Sequence, residues 1–173
     1  MNPALRQLML AILAATTLAG CEQSATSTAV APVEISHGTS CALDGMLLAD
    51  YPGPKAQIHY AGRAEPDFFC DTMEMFNLYL NPEQVRAVQG LFVQDMGRTN
   101  WDAPSGHWID AKKAYYVHGS KRHGSMGPTI ASFSLETDAT KFAAEFGGKV
   151  YRFSDITADM AVLDGGALHD SNM

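Results

Sequence analysis

The chain has 173 residues, 46% of them hydrophobic, and 12 Lys and Arg stand against 19 Asp and Glu, for a formal net charge of −7. That length supports roughly one domain with its own core. The acidic balance excludes nucleic acid, and anionic headgroups held by charge, as partners, and the sequence carries no phosphate loop, no Gly-x-Ser-x-Gly and no dinucleotide fingerprint.

Residues 1–20 read as a lipoprotein signal peptide. Arg6 supplies the positive start, and the apolar run 8–15 is too short to span a bilayer stably. It ends in Leu18-Ala-Gly-Cys21, which makes Cys21 the lipidation site and the new N-terminus. The alternative is an ordinary secretory signal cleaved near Ala19. The acyl chains hold the protein to the membrane, which places it at the periplasmic face of a Gram-negative membrane. Glu22, rather than Asp, follows Cys21 and leaves the outer membrane open as its address. Residues 21–36 are rich in Ser, Thr and Ala and read as a flexible tether, because they cannot bury enough surface to offset ordering entropy.

Residues 37–98 read as a first unit. The alternating run 56–60 predicts a strand, and a helix follows over 71–80 with Met73, Phe76, Leu78 and Leu80 apolar. Asn81-Pro82-Glu83 reads as a further helical turn, with Pro at an allowed first position, and 91–95 as a strand. Residues 99–160 repeat the grammar. Strands are expected at 114–118 and 129–133, and a helix at 137–146 that opens on an N-cap candidate and stops at Gly147-Gly148. A last strand covers 149–153. The fold class is α+β, as two similar ββαβ units packed together. Trp101 and Trp108 lie in the stretch between the units and are read as packing between them. Residues 161–173 form a small, polar tail, expected to be mobile.

The candidate chemistry lies in sulfur. With Cys21 spent on lipid, Cys41 and Cys70 remain of three cysteines. In an exported protein a disulfide between them is one reading. The other begins from Cys41-Ala-Leu-Asp-Gly-Met46, which sets a thiol and a thioether around a turn, and from Met126, which stands between polar residues and Gly127 in the loop His123-Gly-Ser-Met126-Gly-Pro128. Three sulfurs offered from loops suit Cu(I), a soft ion that accepts thiolate, thioether and imidazole at low coordination number. Zinc rarely accepts Met, and no four-ligand zinc spacing is present. His123, His59 and His118 are the candidates for a third ligand. Cys70, after two Phe, reads as a small buried hydrophobe, and Asp44, Asp71 and Glu74 read as solvated carboxylates.

The lipobox, Cys41-Ala-Leu-Asp-Gly-Met46, Pro54-Lys-Ala-Gln-Ile58, Phe68-Phe-Cys-Asp71, Met126-Gly127, Phe133-Ser134 and Gly147-Gly148, in this order, resemble the NosL family of copper-binding accessory lipoproteins of nitrous oxide reductase maturation. The resemblance implies one Cu(I) per protein, held by Cys41 and Met126 with Met46 in the same first motif. It also implies a metallochaperone rather than an enzyme, and partners in the reductase and its ABC-type maturation complex. Many relatives carry a second cysteine before the Gly-Met pair; Asp44 stands there and removes a dithiol from that motif. The family's fold is akin to a domain of organomercurial lyase. That kinship leaves a thiol-dependent organometal lyase as a further alternative, which would need two thiolates and a nearby carboxylate.

Overall fold

The computed structural model describes residues 30–163. The signal peptide, Cys21, most of the expected tether and the last ten residues of the expected tail lie outside this range. Strands β1 (Ala56–Tyr60), β2 (Asp67–Phe69) and β3 (Val88–Gln94) flank helix α1 (Thr72–Tyr79) in the first unit. Strands β5 (Tyr115–His118), β6 (Ala131–Phe133) and β7 (Lys149–Arg152) do so around α2 (Glu136–Phe146) in the second. Both sheets are antiparallel, ordered β2-β1-β3 and β6-β5-β7, with the helix connecting the second strand to the last in each. The duplicated ββαβ grammar is therefore a duplicated topology.

The first sheet gains an extra edge strand, β4 (Trp108–Asp110), paired with β3 through Phe92↔Asp110. Three residues beginning at a supposed linker tryptophan carry too little alternation to announce a strand. The expected turn of helix at 81–83 is instead a tight turn. Gln84 N donates to the Asn81 carbonyl (3.0 Å) and Glu83 N to Asn81 Oδ1 (2.9 Å), so the Asn side chain closes the turn that a helix would have opened. Helix α2 starts one residue earlier than expected, from Leu135, which makes no side-chain cap.

The main core is shared by the two units. Ile58, Phe69, Met75, Phe76, Leu91 and Val93 of the first pack with Tyr116, Ile130 and Ile156 of the second. Phe76 meets the Tyr116 ring edge-on at 5.0 Å. A second cluster lies under α2, where Trp101 stacks on Phe142 at 5.2 Å and so joins the inter-unit stretch to the second unit. At the ends of the described range, Val33 exchanges two hydrogen bonds with the Gln57 side chain (2.8 and 3.0 Å), and the Ala161 carbonyl accepts from Asn77 (2.8 Å). Ordered packing thus extends into both expected flanks.

The stop signal after α2 carries a measurable consequence. Gly147 and Gly148 have φ of 78° and 91°. A Cβ on Gly148 would lie 2.7 Å from the His118 carbonyl and 2.9 Å from Ser120 N, whereas one on Gly147 would meet nothing. Gly147→Ala is expected to lose only the penalty of a positive-φ, extended-ψ backbone that suits glycine alone, about 1–3 kcal/mol. Gly148→Ala adds a backbone clash and should lose visibly more. Urea denaturation of the two variants checks the order, and equal losses would contradict it.

Candidate metal centre

The Cys41 hexapeptide is a closed turn. Cys41 N donates to the Met46 carbonyl (2.8 Å) and Gly45 N to the Cys41 carbonyl (3.0 Å), with Gly45 at φ 80°. Asp44 Oδ1 accepts from Met46 N (3.0 Å). The turn is fastened to the outer edge of β2, where Ala42 N donates to the Phe68 carbonyl (2.7 Å). That bond carries Cys41 to the junction of β2 and α1, where Cys70 lies. Cys41 is 3% and Cys70 0% exposed, and they form a small cluster with Leu48, against which Met46, Ile35, Tyr51 and Phe68 pack.

Both cysteines are free thiols. One ligand atom each of Cys41, Cys70 and Asp44 lies within 4.8 Å of the others. Leu43 N donates to Cys41 Sγ (3.4 Å), and Cys41 Sγ and Glu74 Oε2 share a hydrogen bond of 3.3 Å. The Cys70 thiol, hydrogen-bonded to Cys41, brings the Cys41 thiol down to about 6; burial opposes this, and the Leu43 and Asp44 amides assist. Cys70 is pushed far up by the same shared proton. The two shifts run in opposite directions, so Cys41 ionises well before Cys70.

The expectation of solvated carboxylates holds for Asp44, which is exposed, and fails for Asp71 and Glu74, each 2% exposed. They form a capping box on α1: Asp71 Oδ1 accepts from Met73 N (2.9 Å), and Glu74 Oε2 accepts from Asp71 N (3.3 Å). The Asp-x-x-Glu spacing directly after Cys70 was the available signal. Burial raises Asp71 to about 6, against the opposing Thr129 hydroxyl; burial and then the Cys41 charge raise Glu74 to about 8. Lys55, 0% exposed, was missed altogether. Its Nζ donates to the carbonyls of Cys70 (3.0 Å) and Pro52 (2.9 Å). Desolvation lowers its pKa, while Asp71, Cys70, Glu74 and Cys41 pull the other way.

These shifts fix the sign of a pH dependence. Asp71 and Glu74 start from ordinary values of 3.8 and 4.5, so the folded protein holds protons that the unfolded chain releases. Their contribution is full below those values and is lost as pH rises, through about 6 for Asp71 and about 8 for Glu74. Cys41, lowered from 9.0 to about 6, contributes stability above 9 that is lost as pH falls through about 6. From about pH 4 to 6 the two carboxylates therefore subtract stability as pH rises, the desolvated His59 and His118 work in the opposite direction, and above 6 the thiol offsets Glu74. In Glu74→Gln the decline should shrink. Urea midpoints of wild type and variant across this range check it, and a profile unchanged in the variant would be the contrary result.

Met126 arrives from the second unit on a loop closed by Gly124 N to the Gly127 carbonyl (2.8 Å). The base of this loop abuts α1. A Cβ on Gly124 would overlap Asp71 Oδ2, and Thr129 Oγ1 donates to Asp71 Oδ1 (2.6 Å). Gly53 of the first unit leaves room for the same backbone, since its Cβ would sit 2.8 Å from Gly124 Cα. Met126 itself is 50% exposed at the tip. The structure thus brings Cys41, Cys70 and Met46 together and sets Met126 at the surface of an adjoining loop.

His59, His118 and His123 stand apart from the sulfur cluster. His59 is buried, with Nε2 2.8 Å from Gln57 Oε1 and its ring edge-on to Phe92. His118 is hydrogen-bonded to the Met160 backbone, and His123 is exposed, its carbonyl accepting from Trp101 Nε1 (3.0 Å). His118 and His123 line a cavity of about 550 Å³ with Met73, Asp159 and Met160.

The arrangement offers a thiol of lowered pKa, a second thiol and a thioether in one packed cluster, a donor set for a soft ion. The family model NosL matches residues 32–161. The chain is 39% identical over 169 residues to the copper-binding lipoprotein NosL of Stutzerimonas stutzeri, covering 94% of this chain and 87% of that protein. It is 40% identical over 121 residues to the protein of the same name from Achromobacter cycloclastes, covering 68% and 63%. The crystal structure of the copper chaperone NosL from Shewanella denitrificans superposes with a TM-score of 0.70 at 38% identity, over 76% of this chain and 98% of that one.

Proposed function

Because this chain belongs to the NosL family, we propose that it is a non-catalytic, lipid-anchored carrier of Cu(I). It delivers one ion for assembly of the multicopper centre of nitrous oxide reductase. The observation that carries the reading is the packing of the half-buried Met46 against the buried Cys41 and Cys70 beside an exposed turn. Thiolate and thioether together favour Cu(I) over the harder divalent ions. Burial keeps water from the sulfur, and the short turn gives a local route in and out. The names of the relatives, copper-binding lipoprotein and copper chaperone, support the same reading. Cys21 would carry the lipid at the periplasmic face, with the reductase and its ABC-type maturation complex as the partners. Anaerobic titration against a Cu(I) chelator tests it. Saturation at one equivalent is expected, and no competition with the chelator would overturn it. Delivery is tested separately, by asking whether the loaded protein restores copper to a copper-free reductase.

A second reading, protonolysis of an organometal, has one observation in its favour: Cys41, Cys70 and the Asp44 carboxylate within 4.8 Å of one another. In that reaction a thiol proton passes through the carboxylate to carbon as the carbon–metal bond breaks, any proton on the second thiol leaves to solvent, and both sulfurs end on the metal. Incubation with an organomercurial decides it, and absence of released hydrocarbon discards it.

A further inference from the structure

The cavity of about 550 Å³ at the end of β5 has no part in the carrier reading, yet it falls among ordinary ligand sites, which run from roughly 300 to 1,000 Å³. We propose that this cavity and its basic rim are a docking site for a protein segment that carries a bulky apolar side chain flanked by carboxylates. The inference rests on the carrier reading above for its need of a protein partner, and it names the surface that meets that partner.

The walls are fixed in advance. Met73 of α1 lines the cavity together with Pro128 and Thr129 from the base of the Met126 loop. His118 hydrogen-bonds the Met160 backbone, Asn77 of α1 holds the Ala161 carbonyl (2.8 Å), and Thr129 holds Asp71 (2.6 Å). Helix, loop and terminal turn are thus tied around the cavity, which lowers the ordering cost of binding. Met73 and Met160 give it unbranched thioethers that reshape around an incoming side chain. Val162, also in the lining, is 50% exposed.

The charge of the rim decides the charge of the partner. Lys121 and His123 line the cavity, Arg122 lies between them in the chain, and Lys149 is paired with His118 across β5 and β7. Among the described residues, Lys121, Arg122 and Lys149 form no ion pair. Arg122 lies instead over the Trp101 and Phe146 rings at 4.6 and 4.9 Å, and Lys149 over Tyr151 at 5.3 Å. A ring positions a cation without neutralising it, so the charge stays available to a carboxylate from outside. The lining's own carboxylate, Asp159, acts on His118. In a chain of net charge −7 this rim is a local reversal of sign. It complements an acidic segment, and an apolar anchor inside a polar rim is the arrangement of a binding hot spot. The cavity also touches both ends of the Met126 loop, His123 before the tip and Thr129 after it. A segment docked there brings its own protein against the loop that adjoins the sulfur cluster.

Nuclear magnetic resonance on the full-length, metal-free protein tests the proposal. The probe is an acetylated, amidated hexapeptide with Leu-Phe between two pairs of Glu. Saturable amide shifts are expected at Gly119 to His123 and at Thr129, and none with a peptide in which lysines replace the glutamates. Lys121 and Lys149 are exposed, so the double variant Lys121→Glu, Lys149→Glu should keep the fold and the Cu(I) affinity of the wild type. Its affinity for the acidic peptide should fall about tenfold. No saturable shift, shifts elsewhere on the surface, or equal binding of the two peptides would overturn the proposal. So would the same shifts on vesicles of phosphatidylcholine and phosphatidylglycerol without a response to peptide, which would give the surface to a membrane. Shifts that follow protein concentration alone would give it to a second copy and overturn the proposal as well. Protein that takes up no Cu(I) is a separate result and would overturn the carrier reading itself.

Discussion

Cys41→Ser is expected to weaken Cu(I) binding by about two to three decades. A complete protein site supplies roughly 10–16 kcal/mol of apparent metal affinity, so one charged ligand of three or four accounts for about 3–4 kcal/mol, and 1.4 kcal/mol is tenfold. The substitution is nearly isosteric, and the bonds that shape the turn are made by backbone: Cys41 N to the Met46 carbonyl, Gly45 N to the Cys41 carbonyl, Ala42 N to the Phe68 carbonyl. The turn should therefore persist while the thiolate is lost. A hydroxyl does not ionise in this range and is a poor partner for a soft ion. The measurement is chelator competition under anaerobic conditions, with circular dichroism to establish the fold. A loss smaller than tenfold would remove Cys41 from the site.

Lys55→Met should be the most damaging single change to stability, at about 3–5 kcal/mol, the usual consequence of removing one partner from a buried charge cluster. Methionine matches the length of the aliphatic stem, so packing loss is small. What disappears is a buried cation facing Asp71, Cys70, Glu74 and Cys41, together with two hydrogen bonds to the carbonyls of Pro52 and Cys70. The bond to the Cys70 carbonyl is buried, and an unsatisfied buried group costs about 1–3 kcal/mol. Loss of the cation also raises the Cys41 thiol, so the variant should react more slowly with a thiol reagent near neutral pH. Chemical denaturation and the pH profile of alkylation read the two effects. A loss under about 1 kcal/mol would mean that the ammonium is held against its own desolvation and contributes little.

The alternation of 56–60 and the apolar spacing of α1 and α2 made the repeated unit readable from sequence, because each element buries one face in a regular period. Cys41 and Met46 were readable as neighbours through Gly45, which permits the turn. Other features were hidden for physical reasons. β4 is too short for a period to appear. Lys55 before a strand looks like a solvated cation until a helix N-terminus with two carboxylates closes over it. Cys70 is separated from Cys41 by the whole β1–β2 pair, and the Ala42–Phe68 hydrogen bond that brings the two segments together has no sequence signature. The solvated reading of Asp71 and Glu74 failed because composition speaks for the average carboxylate, whereas their spacing marks a helix start.

The core built from both repeats, with Phe76 against Tyr116 and Ile130, Ile156, Leu91 and Val93 packed together, gives the two halves a common fate. The larger of the interiors belongs to both halves at once, so they melt as one. Any ion that binds the folded form then protects the entire chain, by about 2.7 kcal/mol at a free concentration of one hundred dissociation constants. In a compartment patrolled by proteases, which sample the unfolded population, a loaded molecule outlives an empty one. The abundance of the protein becomes a record of how much metal it has recently carried.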